Sequence, residues 1–306
     1  RRILPSATLI FSSGTSYSDA VFEHTVSPSR FYKSRIAWNG TGWDLIHKNG
    51  TVYVFGAFSP LQAIRDRYGN TIHITRTNGQ RGNITQVTSP NGKWIRFAYD
   101  VSNRVTQATD NSGQTVTYTY DASGRLWKVT NLASGVTEYT YDSAHRMVTH
   151  KDPRGTVVVT NQYNLTNGRL IKQTLADGGV YQFAYTNNAS GKIGQIDVTN
   201  PRGVLRRVVL NTSGYRVQDM RALGRPEAQT MSYARQPGSN LVRSETDALG
   251  RRTDDTYDGF GNRTSMTRLA GTPQAVTTRW TYEPVFQQVT SITDPIGHPT
   301  TFSYDS

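Results

Sequence analysis

The chain has 306 residues, 35% of them hydrophobic and 18% charged, with 34 Lys+Arg against 22 Asp+Glu and a formal net charge of +12. It contains no cysteine, which excludes a disulfide framework and every thiolate-based zinc, iron–sulfur or nucleophile chemistry. A mean hydropathy of −0.57 and the lack of a long apolar run argue against a membrane-spanning segment, and the basic excess raises a polyanion partner that only the distribution of charge can decide.

Arg1-Arg2 ahead of Ile3-Leu4 and Leu9-Ile10-Phe11 has the outline of a twin-arginine export signal, but Pro5, Ser6 and Thr8 interrupt the apolar stretch too early. The opening on Arg1 and the ending at Tyr304-Asp305-Ser306, where Tyr-Asp elsewhere opens a turn, read as a piece of a longer polypeptide. Residues 1–36 are Ser-rich and weakly periodic, and are expected to form an irregular β/loop lead-in. Residues 37–98 read as degenerate hairpins. Trp43 to Lys48, the turn Asn49-Gly50 and Thr51 to Phe55 give strand, turn and strand, and Asp66-Arg67-Tyr68-Gly69-Asn70 turns into Thr71 to Thr75.

From 99 to 306 one unit recurs. Tyr99-Asp100, followed by Asn103-Arg104, is repeated as Tyr120-Asp121 with Gly124-Arg125 and as Tyr141-Asp142 with His145-Arg146, at steps of 21 residues. Weaker copies include Tyr163-Asn164 with Arg169, Tyr257-Asp258 with Gly261 and Arg263, and Tyr304-Asp305. A second mark lies about half a period away, as in Asp110 to Gly113, Asn131 to Gly135, Asp152 to Gly155 and Asp294 to Gly297. Asp or Asn opens a turn by accepting backbone N–H groups, and Gly or Asn supplies its left-handed residue, so both marks are turns. Between them run alternating segments. Val116, Tyr118 and Tyr120 share one face and Thr117 and Thr119 the other, and Ile95, Phe97 and Tyr99 repeat the arrangement. Asn161 and Asp255 stand where an apolar residue is expected and mark candidate bulges or register changes. The expected fold is all-β: repetitive antiparallel hairpins in one long meander. About 24 strands spaced about 4.8 Å apart would give an edge of about 115 Å, so the ribbon is expected to curl or spiral.

The units Tyr-Asp-x-x-Gly-Arg-Leu at Tyr120 to Leu126, with Thr246-Asp247-Ala248-Leu249-Gly250-Arg251 and the approach from Trp43 to Asn70, resemble the RHS or YD-repeat family over roughly residues 38–306. The resemblance implies a β-ribbon that forms part of a hollow shell, within larger bacterial secreted or cell-surface proteins. Some members enclose a C-terminal toxin. It implies no enzyme activity and no cofactor for this region. The implied partner is an enclosed or attached segment of the same parent chain, and a cell-surface glycan or protein is the alternative. A propeller is disfavoured because the repeat recurs at 21 residues, not only at 42.

Chemistry is sparse. The six histidines form no ligand pair, and His145 occupies the turn position of Asn103 and Gly124. Asp254-Asp255 is the one adjacent carboxylate pair, and each repeat aspartate stands alone in its turn, too few oxygens for calcium. Asp294-Pro295-Ile296-Gly297 resembles half of the family's self-cleavage motif, but His298 replaces its leucine, and proteolysis is not expected. Arg104, Arg125, Arg146, Arg169, Lys192, Arg216 and Arg263 each follow a turn and form a ladder, one or two per repeat. A structural arginine reaching the turn aspartate of the neighbouring repeat is preferred over a polyanion stripe, so nucleic acid is not the expected partner. Tyr99, Asp100, Arg104, Tyr120, Asp121, Gly124, Arg125, Tyr141, Asp142, Arg146, Tyr257, Asp258, Gly261 and Arg263 are the structural repeat residues, and Trp127 and Trp280 the candidate ligand-stacking aromatics.

Overall fold

The computed structural model describes residues 9–16, 18–24, 31 and 33–304. The arginine pair Arg1-Arg2, the interrupting Pro5, Ser6 and Thr8, and the closing Asp305-Ser306 lie outside the described residues. Among those described there are 27 strands and no helix, joined antiparallel in one open sheet. The strand Thr115–Tyr120 shows why: each of its six residues is β-branched or aromatic, and its alternation sets Val116, Tyr118 and Tyr120 on the less exposed side. Register keeps that face continuous, with Phe97 opposite Ala108, Ala108 opposite Val116 and Tyr118 opposite Val129. Contacts divide the chain into two compact units, residues 74–229 and residues 1–73 with 230–306.

Both kinds of turn have one geometry. Asp121 N–H donates to Arg125 O at 2.9 Å and Gly124 N–H to Asp121 O at 2.9 Å. At the half-period mark Asp110 N–H donates to Gln114 O and Gly113 N–H to Asp110 O, both at 3.0 Å. The fourth residue is left-handed, with φ of 59° at Asn103, 77° at Gly124 and 62° at His145. In the Asn131 turn Ser134, at φ 60°, takes that place instead of Gly135, because the N–H that closes on Asn131 O belongs to Ser134.

After each Tyr-Asp turn the outgoing strand carries one extra residue. Tyr99 pairs with Val105 and Ala98 with Gln107, leaving Thr106 unmatched, and Tyr120 pairs with Leu126 and Thr119 with Lys128, leaving Trp127. The same shift follows Tyr141, Tyr163, Tyr257 and Tyr282. A bulge interrupts the ladder and leaves a carbonyl without its strand partner. The tyrosine of the next repeat supplies one: Tyr120 Oη donates to Val105 O at 2.7 Å, Tyr141 Oη to Leu126 O at 2.7 Å and Tyr257 Oη to Val242 O at 2.9 Å. Asn161 and Asp255 do not mark bulges. Asn161 pairs in register with Gln173, donates to Met147 O and accepts from Gln173, which lets a polar side chain sit buried on the apolar face. Asp255 pairs in register with Met266, and the shift follows at Thr256 and Tyr257.

Removing one phenol tests this coupling. Tyr120→Phe keeps the ring but strands the Val105 carbonyl, and is expected to cost about 1 kcal/mol. Native-state hydrogen exchange should show the loss of protection confined to the hairpins around residues 99–126, since repeats contact mainly their neighbours.

Candidate functional site

The repeat residues assemble into a clamp at each Tyr-Asp turn. Asp121 Oδ1 accepts from Ser123 N–H and Arg125 N–H, both at 2.9 Å, and Oδ2 accepts from Arg125 Nε at 2.7 Å. Asp100 with Arg104 and Asp142 with Arg146 reproduce the geometry, each with a 2.7 Å Nε contact. The arginine pairs with the aspartate of its own turn, not with that of the neighbouring repeat. Like turns lie two strands apart, about 10 Å, so a guanidinium held by its own carboxylate still reaches the next turn with its far end. Arg125 Nη1 donates to Asp142 O at 2.8 Å, and Arg146 Nη1 to Asn164 O at 3.1 Å. Each guanidinium also covers the next tyrosine, at 4.6 Å for Arg104 on Tyr120 and 5.0 Å for Arg125 on Tyr141. Gly124 fits beneath: a Cβ there would stand 2.9 Å from Arg104 Nη1.

Tyr257, Asp258 and Gly261 keep the turn, but Arg263 stands one residue too late. Asn262 fills the arginine's place and donates to Asp258 Oδ2 at 3.0 Å, while Arg263 Nε lies 3.2 Å from Asp255 Oδ1. Asp254 and Asp255 do not form a dyad, since successive strand residues point to opposite faces. Arg252 holds Asp254 at 2.7 and 2.8 Å, and burial pushes the Asp255 carboxyl up. Among the described residues no three His, Asp or Glu converge on one point. Both oxygens of the clamp aspartates are already occupied by their own turn. His145 holds the left-handed turn position, and His150 stacks on Tyr139 at 5.2 Å. Asp294 to His298 is an ordinary turn, with Asp294 Oδ1 accepting from Ile296 N–H at 3.0 Å and His298 N–H at 2.8 Å.

The two tryptophans belong to different units and make different contacts. Trp127 is the extra residue of its bulge and is 42% exposed, with Lys128 Nζ 4.0 Å from its ring centre. Trp280 is half-buried opposite Ile292. Two recesses were not foreseen from sequence. One of about 610 Å³ is lined by Arg235, Arg243, Arg252, Asp254, Asp255 and Tyr257 among others. The other, about 490 Å³, is apolar, lined by Phe22, Ile36, Trp43, Leu45 and Phe55 among others. No motif spacing signals either one, because register alone brings their residues together.

The clamp has a pH signature. Backbone N–H donation from Arg104, Arg125 and Arg146, with their guanidinium groups, holds Asp100, Asp121 and Asp142 below the ordinary carboxylate value of 3.8. A depressed pKa adds stability that is complete above the unfolded value and lost as pH falls through the folded ones. Hydrogen exchange across residues 99–146 is therefore expected to loosen only below about pH 3.8. Asp121→Asn keeps the Oδ1 acceptor, as Asn211 does at 2.9 Å from Tyr215 N–H, and should remove the acid sensitivity of its own hairpin. Asp121→Ala should loosen that hairpin at every pH.

A family model described as RHS Repeat matches residues 80–115, 99–133 and 129–157. No curated protein matches the chain. Among solved structures it is similar to the crystal structure of TcdB2-TccC3, with a TM-score of 0.52 and 11% identity over 85% of this chain and 17% of that one. The crystal structure of TcdB2-TccC3-TEV gives a TM-score of 0.49 and 13% identity over 92% of this chain and 20% of that one. A Tc holotoxin pore of Photorhabdus luminescens gives 0.41 and 12% over 90% and 18%. This chain thus spans about a fifth of the length of those chains. The similarity to TcdB2-TccC3 is one of fold, and residues 80–157 of this chain carry the RHS repeat.

Proposed function

We propose that this region is a non-enzymatic structural wall, part of a hollow β-shell that encloses or displays another segment of the same parent polypeptide, in a secreted or cell-surface bacterial protein. One observation carries the reading. The accessible surface is 18760 Å², whereas a compact monomer of this mass exposes about 12,800 Å². Among the described residues only Ala20, Leu45, Ile74 and Tyr233 are buried apolar side chains. A sheet with this many half-exposed aromatics is built to stand against something. The RHS repeat and the fold shared with TcdB2-TccC3 support a shell wall, and a toxin segment is the cargo that family resemblance suggests. The repeat residues Tyr99 to Arg146 serve this function structurally, by holding neighbouring hairpins in register.

The complete gene product tests it. Under limited trypsin digestion a segment outside the repeat region is expected to survive and co-elute with the shell, and cryo-electron microscopy should show density against the aromatic face. Full digestion of every flanking segment, with that face bare, would sink the reading. A glycan-binding module is the alternative, with Trp127 and Trp280 as stacking residues. It predicts retention on a glycan array that Trp127→Ala or Trp280→Ala abolishes, and the Lys128 ammonium over the Trp127 ring weighs against it.

A further inference from the structure

Within the unit formed by residues 1–73 and 230–306, the hairpin turn His47 to Gly50 meets a repeat turn more than two hundred residues further on. Lys48 Nζ donates to Asn262 Oδ1 at 2.8 Å and to Phe260 O at 3.2 Å. Asn262 is 7% exposed. Its Nδ2 donates to Asp258 Oδ2 at 3.0 Å and to Gln287 Oε1 at 2.7 Å, so every polar atom of the amide is engaged and its orientation is fixed. The approach is tight: a Cβ on Gly50, at φ 83°, would lie 2.7 Å from Phe286 Cδ1. In the clamps at Asp100, Asp121 and Asp142 an arginine occupies the carboxylate's Oδ2. Here an asparagine does, and a lysine has come in from a distant turn to meet it.

We propose that Lys48 and Asn262 form an intramolecular isopeptide bond, with Asp258 carrying the proton. An amine, a carboxamide and a carboxylate in one partly desolvated cluster are what acyl transfer between side chains requires. The Lys48 ammonium loses a proton, relayed through solvent to the Asp258 carboxylate on the far side of the Asn262 amide, and the freed lone pair attacks Cγ of Asn262. The Nζ–Cγ bond forms, the Cγ–Nδ2 bond breaks with its electron pair going to nitrogen, and Asp258 returns its proton to Nδ2, which it already touches. Of the three ammonium hydrogens one remains on the new amide and two leave with Nδ2 as ammonium. No oxidant or co-reactant enters. Burial holds the Lys48 amine below its ordinary value, against the opposing pull of Asp258, and this increases its neutral, nucleophilic fraction.

The test is the mass of the purified 306-residue chain. The expected result is the sequence mass less one ammonia, with a branched peptide joining Lys48 to Asn262 and no tryptic cut after Lys48. Lys48→Arg keeps the charge but has no primary amine. Asp258→Asn keeps the turn acceptor but cannot carry the proton. Both are expected to return the full sequence mass while giving the same β-sheet circular dichroism. Asn49-Gly50 can also shed ammonia by closing a succinimide, so a loss that persists in Lys48→Arg would overturn the proposal. So would an unmodified chain whose Lys48 is cut normally. Undiminished linkage in Asp258→Asn would overturn the role given to Asp258.

Discussion

The sheet depends on how each Tyr-Asp turn disposes of backbone groups that the strand ladder cannot satisfy. One oxygen of the turn aspartate takes two N–H groups, as Asp121 does from Ser123 and Arg125. The bulge that follows then displaces a carbonyl, and a phenol fifteen residues further on accounts for it, as Tyr120 does for Val105. Neither half suffices alone. The aspartate shapes its own turn, whereas the tyrosine ties that turn to the next, so local geometry becomes cooperative along the chain. The arginine adds a second tie, since Arg125 joins Asp121 to the backbone of Asp142 and to the ring of Tyr141.

This arrangement changes the meaning of the basic charge. Arginines locked onto turn aspartates present little free charge to a polyanion, and others are spent across strands. Arg207 grips Asp197 at 2.8 and 2.7 Å, and the buried Asp219 is held by Arg206 and Arg216 at 2.7 and 2.9 Å. Whether exposed like the Arg206 guanidinium or buried like Asp219, these charges are neutralised in place by partners on the neighbouring strand. That solution leaves the sheet's aromatic face half-exposed, which is the property the proposed wall requires.

The alternation of Val116, Tyr118 and Tyr120 was enough to place strands and faces, and the spacing of Asp, Gly and Arg was enough to place turns, because both follow from local geometry with fixed periods. His145 in its left-handed position follows for the same reason. What sequence could not show was the bulge. An extra residue such as Trp127 leaves no mark in a pattern that is read one strand at a time, and without the bulge the tyrosine reads only as an apolar-face residue. The same limit explains the arginine. Its spacing to both aspartates is regular, and only the reach of a side chain across two strands decides that it binds its own. Arg263 shows the converse, a residue grouped by resemblance that stands one position outside the clamp, beside Asp255.

The replacement at that position ties these points together. A clamp with asparagine in place of arginine keeps its link to the following turn by a shorter side chain, Asn262 Nδ2 donating to Gln287 Oε1 at 2.7 Å, and Tyr282 Oη still reaches Arg263 O at 2.8 Å. What the asparagine adds is a carbonyl that Lys48 reaches from a segment more than two hundred residues away, where a hairpin whose Gly50 admits the ring of Phe286 brings the amine in. Closing so long a loop by a hydrogen bond alone works against a large chain entropy that must be overcome each time the contact forms. A covalent closure removes that entropy from the unfolded state permanently, by the same reasoning that applies to disulfides. A chain without cysteine, whose repeats hold mainly their neighbours, has much to gain from such a bond where two distant turns meet.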